Sequence, residues 1–350
     1  MAPPRRPPSK RPSRTSSASG PSVGNADAAV LDWLLEESQP AVRYRTLTEL
    51  LGRGPDNPEV RAARSQIPRT GWAAEILAAR GPGGAWPPEE KFYWPKYRST
   101  NWQLLILSDL GITKKDPRVA SIAERWMEAF HRPDGGFWAS GKHGHLCTTG
   151  NTVRALIRFG YEEDPRVVAG LEWMVRNQAK LGGWSCFGSG RNLDSWEPMS
   201  AFAAYPRSKW TPEIEGAVQR GAEFFLSREL HRQGAPYAPW DRFHYPVHYY
   251  YDLLVGLDFL TTLGFGADPR LGYALGVLQA RRRSDGRWNL DAIHPDVAGA
   301  IADWLKAHPR YRPTPVALET VGAPSKMITL TALKVLRGVD RATGTQRLAE

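Results

Sequence analysis

The sequence is short of cysteine, of long apolar runs and of catalytic signature motifs, and each shortage narrows what the chain can do. Cys147 and Cys186 are the two cysteines in 350 residues, too few for a disulfide framework or a four-cysteine zinc pattern. They are therefore either inert thiols or members of a site. No run approaches the roughly 18 apolar residues of a membrane span, and no apolar signal-peptide core follows the basic start. These absences predict a soluble, cytoplasmic protein without a transmembrane segment. There is no Walker-type phosphate loop, no serine-nucleophile motif and no HExxH helix, which removes three common enzyme classes. Acidic residues are absent from residues 1–24, where Arg5, Arg6, Lys10, Arg11 and Arg14 carry half of the net charge of +10. A stretch of Pro, Ser and Arg cannot bury a core, so this segment is expected to be a disordered, solubilising tail. Such a tail is drawn weakly to anionic lipid or nucleic acid at most, and nothing else in the chain points to a nucleic-acid partner.

What the chain does have is tryptophan. Its 14 Trp, within an apolar share of 41%, suffice for a sizeable core and for aromatic lining of a pocket. It also has internal periodicity. A corner of capping residue, Pro, charged residue and aliphatic residue occurs at Asn57-Pro58-Glu59-Val60, Asp116-Pro117-Arg118-Val119, Asp164-Pro165-Arg166-Val167, Thr211-Pro212-Glu213-Ile214 and Asp268-Pro269-Arg270-Leu271. Asn, Asp or Thr accepts from free amides at a helix start, and Pro at the first helical position gives up only an unpaired N–H. Each corner therefore predicts a helix. Val119, Ile122, Ala123, Trp126, Met127 and Phe130 then fall at helical spacing with charges between them, the pattern of an outer, half-exposed helix.

The segments ahead of the corners are apolar on most sides and belong inside: Trp102 to Leu110, Thr152 to Phe159, Met199 to Tyr205 and Tyr249 to Leu263, with Val42 to Leu51 and Met327 to Leu336 at the two ends. Turns of glycine and an aromatic join outer to inner helices at Gly83-Gly84-Ala85-Trp86, Gly135-Gly136-Phe137, Gly182-Gly183-Trp184 and, in degenerate form, Asp285-Gly286-Arg287-Trp288. The pattern predicts an all-α protein, an α/α toroid of about six inner/outer hairpins. Its expected boundaries are 25–338, with a flexible tail at 339–350.

The stretch Gly135-Gly136-Phe137 through His145-Leu146-Cys147-Thr148-Thr149 and Val153-Arg154-Ala155-Leu156, the segment Arg191-Asn192-Leu193-Asp194, and His248-Tyr249-Tyr250-Tyr251 together carry a family likeness. They resemble the terpenoid cyclase and protein prenyltransferase superfamily, the squalene cyclase-like repeat proteins, most closely at the β subunits of protein prenyltransferases. The resemblance implies a central pocket for an isoprenoid. It implies a diphosphate contact at Arg191 and zinc ligands at Asp194 and His248, and a helical partner subunit is a feature of those relatives. The family's zinc cysteine stands two residues after its aspartate, where this chain has Trp196. Cys147 stands 17 residues before Asp164, as Asp194 does before Thr211, so Cys147, Asp194 and His248 form the candidate metal set, with zinc as the candidate cofactor.

Cationic or protonatable residues recur ahead of the inner helices: Arg43, Arg45, Lys96, Arg98, His145, Arg191, His244 and Lys326. With parallel inner helices, their N-termini would add positive potential at the same rim. The resulting expectation is binding or transformation of a prenyl diphosphate-like amphiphile. Arg191, Lys96 and His145 hold its head, Trp102, Trp184, Trp196, Tyr249 and Tyr250 hold its chain, and Asp194 and His248 do the chemistry. Two other readings share the scaffold. One is a non-catalytic toroid that binds a lipid or protein partner. The other is a glycoside-active enzyme using Asp194 and Glu197, with Asp252 or Asp241, as its carboxylate pair.

Overall fold

The structure, a computed structural model, describes residues 23–186, 193, 195–232, 239–249, 251–293 and 318–344. Among the described residues it is helical, with no strand. The helices are α1 (Val23–Leu34), α2 (Pro40–Arg45, continued by a π-helical turn at Thr46–Leu50), α3 (Pro58–Gln66), α4 (Gly71–Ala78), α5 (Thr100–Asp109), α6 (Pro117–Phe130), α7 (Leu146–Phe159), α8 (Pro165–Arg176), α9 (Glu197–Ala204), α10 (Pro212–Leu226), α11 (Leu253–Thr262), α12 (Gly272–Ala280) and α13 (Lys326–Thr343). No helix among them is long and apolar enough to cross a membrane. The last helix runs to Thr343, past the boundary expected at residue 338. Its apolar stripe packs Leu330, Leu333 and Val335 into the core.

All five corners start helices. Asn57 accepts from the amides of Glu59 and Val60, Asp116 from Arg118, Asp164 from Arg166, Thr211 from Ile214 and Asp268 from Arg270. The last corner first forms a short 3-10 turn, Pro269–Leu271, that leads into α12. Two corner arginines also join neighbouring outer helices: Arg166 forks onto Asp164 and reaches Glu124 of α6 (2.6 Å), and Arg270 forks onto Asp268 and reaches Glu223 of α10 (2.8 Å). Such exposed pairs add roughly 0–1 kcal/mol each, so they orient the layer more than they hold it.

The glycine-aromatic turns share one geometry. The glycine two residues before the aromatic has positive φ in each: Gly84 (+84°), Gly135 (+96°), Gly182 (+90°) and Gly286 (+80°). Three of the four aromatics are indoles that donate to a carbonyl ten residues upstream on the preceding outer helix, Trp86 to Ile76 (2.8 Å), Trp184 to Met174 (2.9 Å) and Trp288 to Leu278 (2.7 Å). A threonine in the first turns of the following inner helix then receives the aromatic's own amide, as Thr100 does from Trp86, Thr149 from Phe137 and Thr329 from Trp288. The Trp86 and Trp288 turns thus tie an outer helix to the next inner one through both bonds, while Trp184 makes the indole bond and Phe137 the threonine bond. Without these bonds a buried indole N–H would be left unpaired at a cost of about 1–3 kcal/mol.

One contiguous apolar core runs from Val30 to Val335. Helices α5, α7, α9, α11 and α13 touch in that order, and α13 touches α2 and its π turn. Arg45, at the end of α2, donates to the carbonyl of Asp109 at the end of α5 (3.4 Å).

Candidate functional site

Two regions compete for the role of site, one at the N-terminal ends of α5 and α7 and one between their C-terminal halves. The first gathers several residues expected to bind ligand. Tyr249 donates or accepts through its hydroxyl with Tyr93 (3.0 Å) and Thr148 (3.2 Å), and its ring meets Trp102 edge-on at 5.3 Å. Burial raises the Tyr249 phenol well above its ordinary pKa. Trp102 donates its indole N–H to the carbonyl of Tyr93 (2.9 Å). His248 is buried, stacked on Tyr97 at 5.3 Å and edge-on to Trp102 at 5.1 Å. Lys96 lies over the rings of Trp94 and Tyr249 at 5.7 and 5.9 Å, and His145 stacks on Trp138 at 4.4 Å. Burial, and secondarily the charge of Lys96, lowers the pKa of His145. Among the described residues, the rings at this end pack against one another.

Cys147 and Cys186, expected as separate thiols, are joined by a disulfide across 39 residues of sequence. A sulfur bonded to another sulfur is not a thiolate, so in this state Cys147 is withdrawn from the expected metal set. Neither cysteine signalled the pairing, because a single Cys pair carries no spacing pattern. Arg191, Asp194 and Tyr250 lie outside the described residues. Trp184 is fully buried and spent on its bond to Met174.

The second region is a cavity of about 510 Å³ between α2, α5, α7, α9, α11 and α13, a volume within the range of small-molecule sites, roughly 300–1,000 Å³. It is lined by the C-terminal residues Ser108 and Asp109 of α5, Arg154, Ile157 and Arg158 of α7, and Ser200, Ala203 and Ala204 of α9. Leu254, Val255 and Phe259 of α11 and Met327 and Ile328 of α13 give it an apolar side. Among the described residues expected to hold a ligand, Trp196 lines it, and so does Asp252, a carboxylate candidate of the glycoside reading. Arg45 and His244, expected among the cations of the opposite rim, line it as well.

Most charges on its wall are matched. Arg45 pairs with Glu49 (2.7 Å), Arg158 with Asp109, and Lys334 with Asp258 (2.6 Å). Burial alone would lift the Glu49 carboxyl, but Arg45 and Lys334 outweigh it and hold Glu49 down at about 2. Arg154 is different. It is 3% exposed, donates to the neutral carbonyl of Val247 (3.3 Å) and lies over the Trp196 ring at 5.2 Å. Among the described residues no carboxylate hydrogen-bonds to it, and burial pushes its pKa down to about 10. Asp109, Glu197 and Asp258 offset part of that burial at longer range, and a directly bonded anion would offset more of it.

His244 and Asp252 form a second feature of the same wall. His244 Nδ1 lies 2.6 Å from Asp252 Oδ2, and the two side chains are 0% and 1% exposed. Asp252 is fixed by accepting from the backbone amides of His244 (3.0 Å) and Val255 (2.8 Å), the latter as the cap of α11. The carboxylate at Nδ1 fixes the plane in which the imidazole lies on this wall. Tyr245, whose phenol burial raises well above its usual pKa, stands next to it on the cavity wall.

Sequence reasoning missed Arg154, His244 with Asp252 as a pair, and Tyr245. One signal was present: an arginine inside a helix that reads as apolar on most sides has to find a buried partner or line a cavity.

No family model matches this chain, and no curated protein does. Among solved structures, the chain is similar to a protein from Actinoplanes, at 18% identity and a TM-score of 0.46 over 90% of this chain and 98% of that one. It is also similar to a variant of the type II terpene cyclase MstE from Scytonema, in complex with its substrate geranylgeranyl dihydroxybenzoate, at 14% identity and a TM-score of 0.31 over 90% of this chain and 99% of that one.

Proposed function

We propose that the chain is an α/α toroid that binds an acidic amphiphile of the isoprenoid type in the cavity between its inner helices. The ring reading rests on the order in which the inner helices touch and on the Arg45 bond to Asp109 that joins the first of them to α5. The ligand reading rests on one observation, the buried Arg154 held against Trp196 on a wall where Arg45, Arg158 and Lys334 each pair with a carboxylate. An acid group would sit at Arg154, adding a directly bonded counter-charge to the more distant carboxylates of Asp109, Glu197 and Asp258. The hydrocarbon would lie along Ile157, Leu254, Val255 and Phe259. His244, oriented by Asp252 on the same wall, carries the accompanying proposal, acid-base transformation of the ligand.

The test is calorimetric titration of the full chain with farnesyl diphosphate, farnesol and inorganic pyrophosphate. The ester should bind more tightly than either the alcohol or the inorganic anion. Arg154→Met should weaken the ester by about 10- to 100-fold, the worth of one charge-assisted bond, while leaving the alcohol unchanged. Equal affinity of wild type and variant for the ester would refute the assignment.

A further inference from the structure

Outside the cavity, three side chains stand close enough to share one ion. The ligand atoms of His145, Cys147 and Cys186 lie within 4.8 Å of one another. His145 is the residue that precedes α7 and Cys147 lies in its first turn, while Cys186 follows the Gly182-Gly183-Trp184 turn. The amide of Cys147 donates to Cys186 Sγ (3.2 Å). Amides in the first turn of a helix have no partner within the helix, so this one is available to the sulfur. Trp138, stacked on His145 at an interplanar angle of 24°, fixes the imidazole plane. His145 and Cys186 are half-buried, so solvent reaches the corner.

We propose that reduction of the Cys147–Cys186 disulfide turns this corner into a zinc site whose protein ligands are His145, Cys147 and Cys186. In the first step a dithiol reductant supplies two electrons and two protons. The S–S bond breaks, two thiols form, and the reductant closes to its own disulfide. In the second step Zn²⁺ displaces both thiol protons to solvent, forming two Zn–S bonds and one Zn–N bond. Two sulfurs at about 2.3 Å from a tetrahedral ion stand roughly 3.8 Å apart, so the cysteines separate modestly and stay within the present spread of the three ligand atoms. The fourth tetrahedral position falls to water, the arrangement of an open rather than a closed site. The oxidised corner has no thiolate to offer, so metal and disulfide exclude each other, and the corner responds to redox state. This set shares only Cys147 with the trio expected from the sequence.

The full chain, reduced anaerobically with a dithiol and freed of it, is titrated with Co²⁺ and then with Zn²⁺. Parallel samples are kept oxidised, and helix content is followed by circular dichroism in every sample. Reduced protein should develop a thiolate-to-cobalt charge-transfer band saturating at one equivalent and displaced by zinc, and oxidised protein should not. Cys186→Ser and His145→Ala should weaken the metal by more than the roughly 10- to 100-fold that loss of an outer-shell partner costs, whereas His248→Gln should retain the band. Reduced, folded wild type with two titratable thiols and no metal uptake would overturn the proposal. So would a Cys186→Ser protein that binds as tightly as wild type.

Discussion

Arg154 lies over the ring of Trp196, with its guanidinium carbon 5.2 Å from the ring centroid, and both side chains are buried on the wall of the cavity. The indole face is the most negative surface that an apolar wall can offer, so Trp196 holds the cation without neutralising it. Trp196→Phe keeps the volume nearly filled and weakens the face, and should destabilise the protein by about 0.5–2 kcal/mol. Denaturant unfolding of the two proteins measures the difference, and a variant as stable as wild type would remove Trp196 from this role.

His244 and Asp252 predict a stability effect separate from any ligand. In His244→Ala the Asp252 carboxylate keeps its two backbone donors but loses the imidazole. The loss of one bond to a buried acceptor should cost about 1–3 kcal/mol. Thermal melting at neutral pH checks this. A melt unchanged from wild type would mean that water had replaced the ring.

Glu49 gives the pH dependence a sign. Its carboxyl is held at about 2 against an ordinary 4.5, so the native state binds its proton later than the unfolded chain does. The stability this contributes is present above the ordinary value and is lost as pH falls from 4.5 toward 2. Glu49→Gln should therefore lower the melting temperature at about pH 7, with the gap from wild type closing in acid. A gap that stays constant down to the acid limit contradicts the pairing with Arg45 and Lys334.

Gly182 and Gly276 should respond to alanine in opposite directions. At Gly182 φ is +90°, and a Cβ would stand 2.3 Å from the carbonyl oxygen of Arg220. Strain of this kind costs on the order of 1–3 kcal/mol. Gly276 sits inside α12 with nothing within 4 Å of an added Cβ, and alanine there should stabilise by roughly 0.5–1 kcal/mol through lower backbone entropy. Melting temperatures of the two variants decide it.

Much of the helical pattern was legible because it is written locally. Asp116, Asp164 and Asp268 reach amides two residues away, and the Pro that follows each fixes one torsion, so neither depends on the rest of the chain. The inner helices were legible for a related reason: a helix apolar on most sides can only be inside. Gly286 was read as part of a degenerate copy, yet its φ of +80° matches the other turns. The torsion resides in one residue and survives changes beside it.

The cavity was not legible. Lys96, His145, Trp102, Tyr249 and His248 were expected to surround a ligand; among the described residues they pack against one another or against neighbouring rings. Aromatic and cationic residues have the same sequence signature whether they line a hollow or fill it. Which end of the inner helices remains open depends on how six side-chain sets interdigitate at once.

The sequence by itself determined where helices begin, which of them turn apolar faces inward, and where left-handed glycines bend the chain, because caps, torsions and hydrophobic periodicity act over a few residues. Only the tertiary structure decided that Arg154 meets Trp196, that Cys147 meets Cys186 across 39 residues, and that the cavity opens between the C-terminal halves of α5, α7 and α9. Those contacts are set by the packing of side chains distant along the chain, and no local rule encodes which volume the packing leaves unfilled.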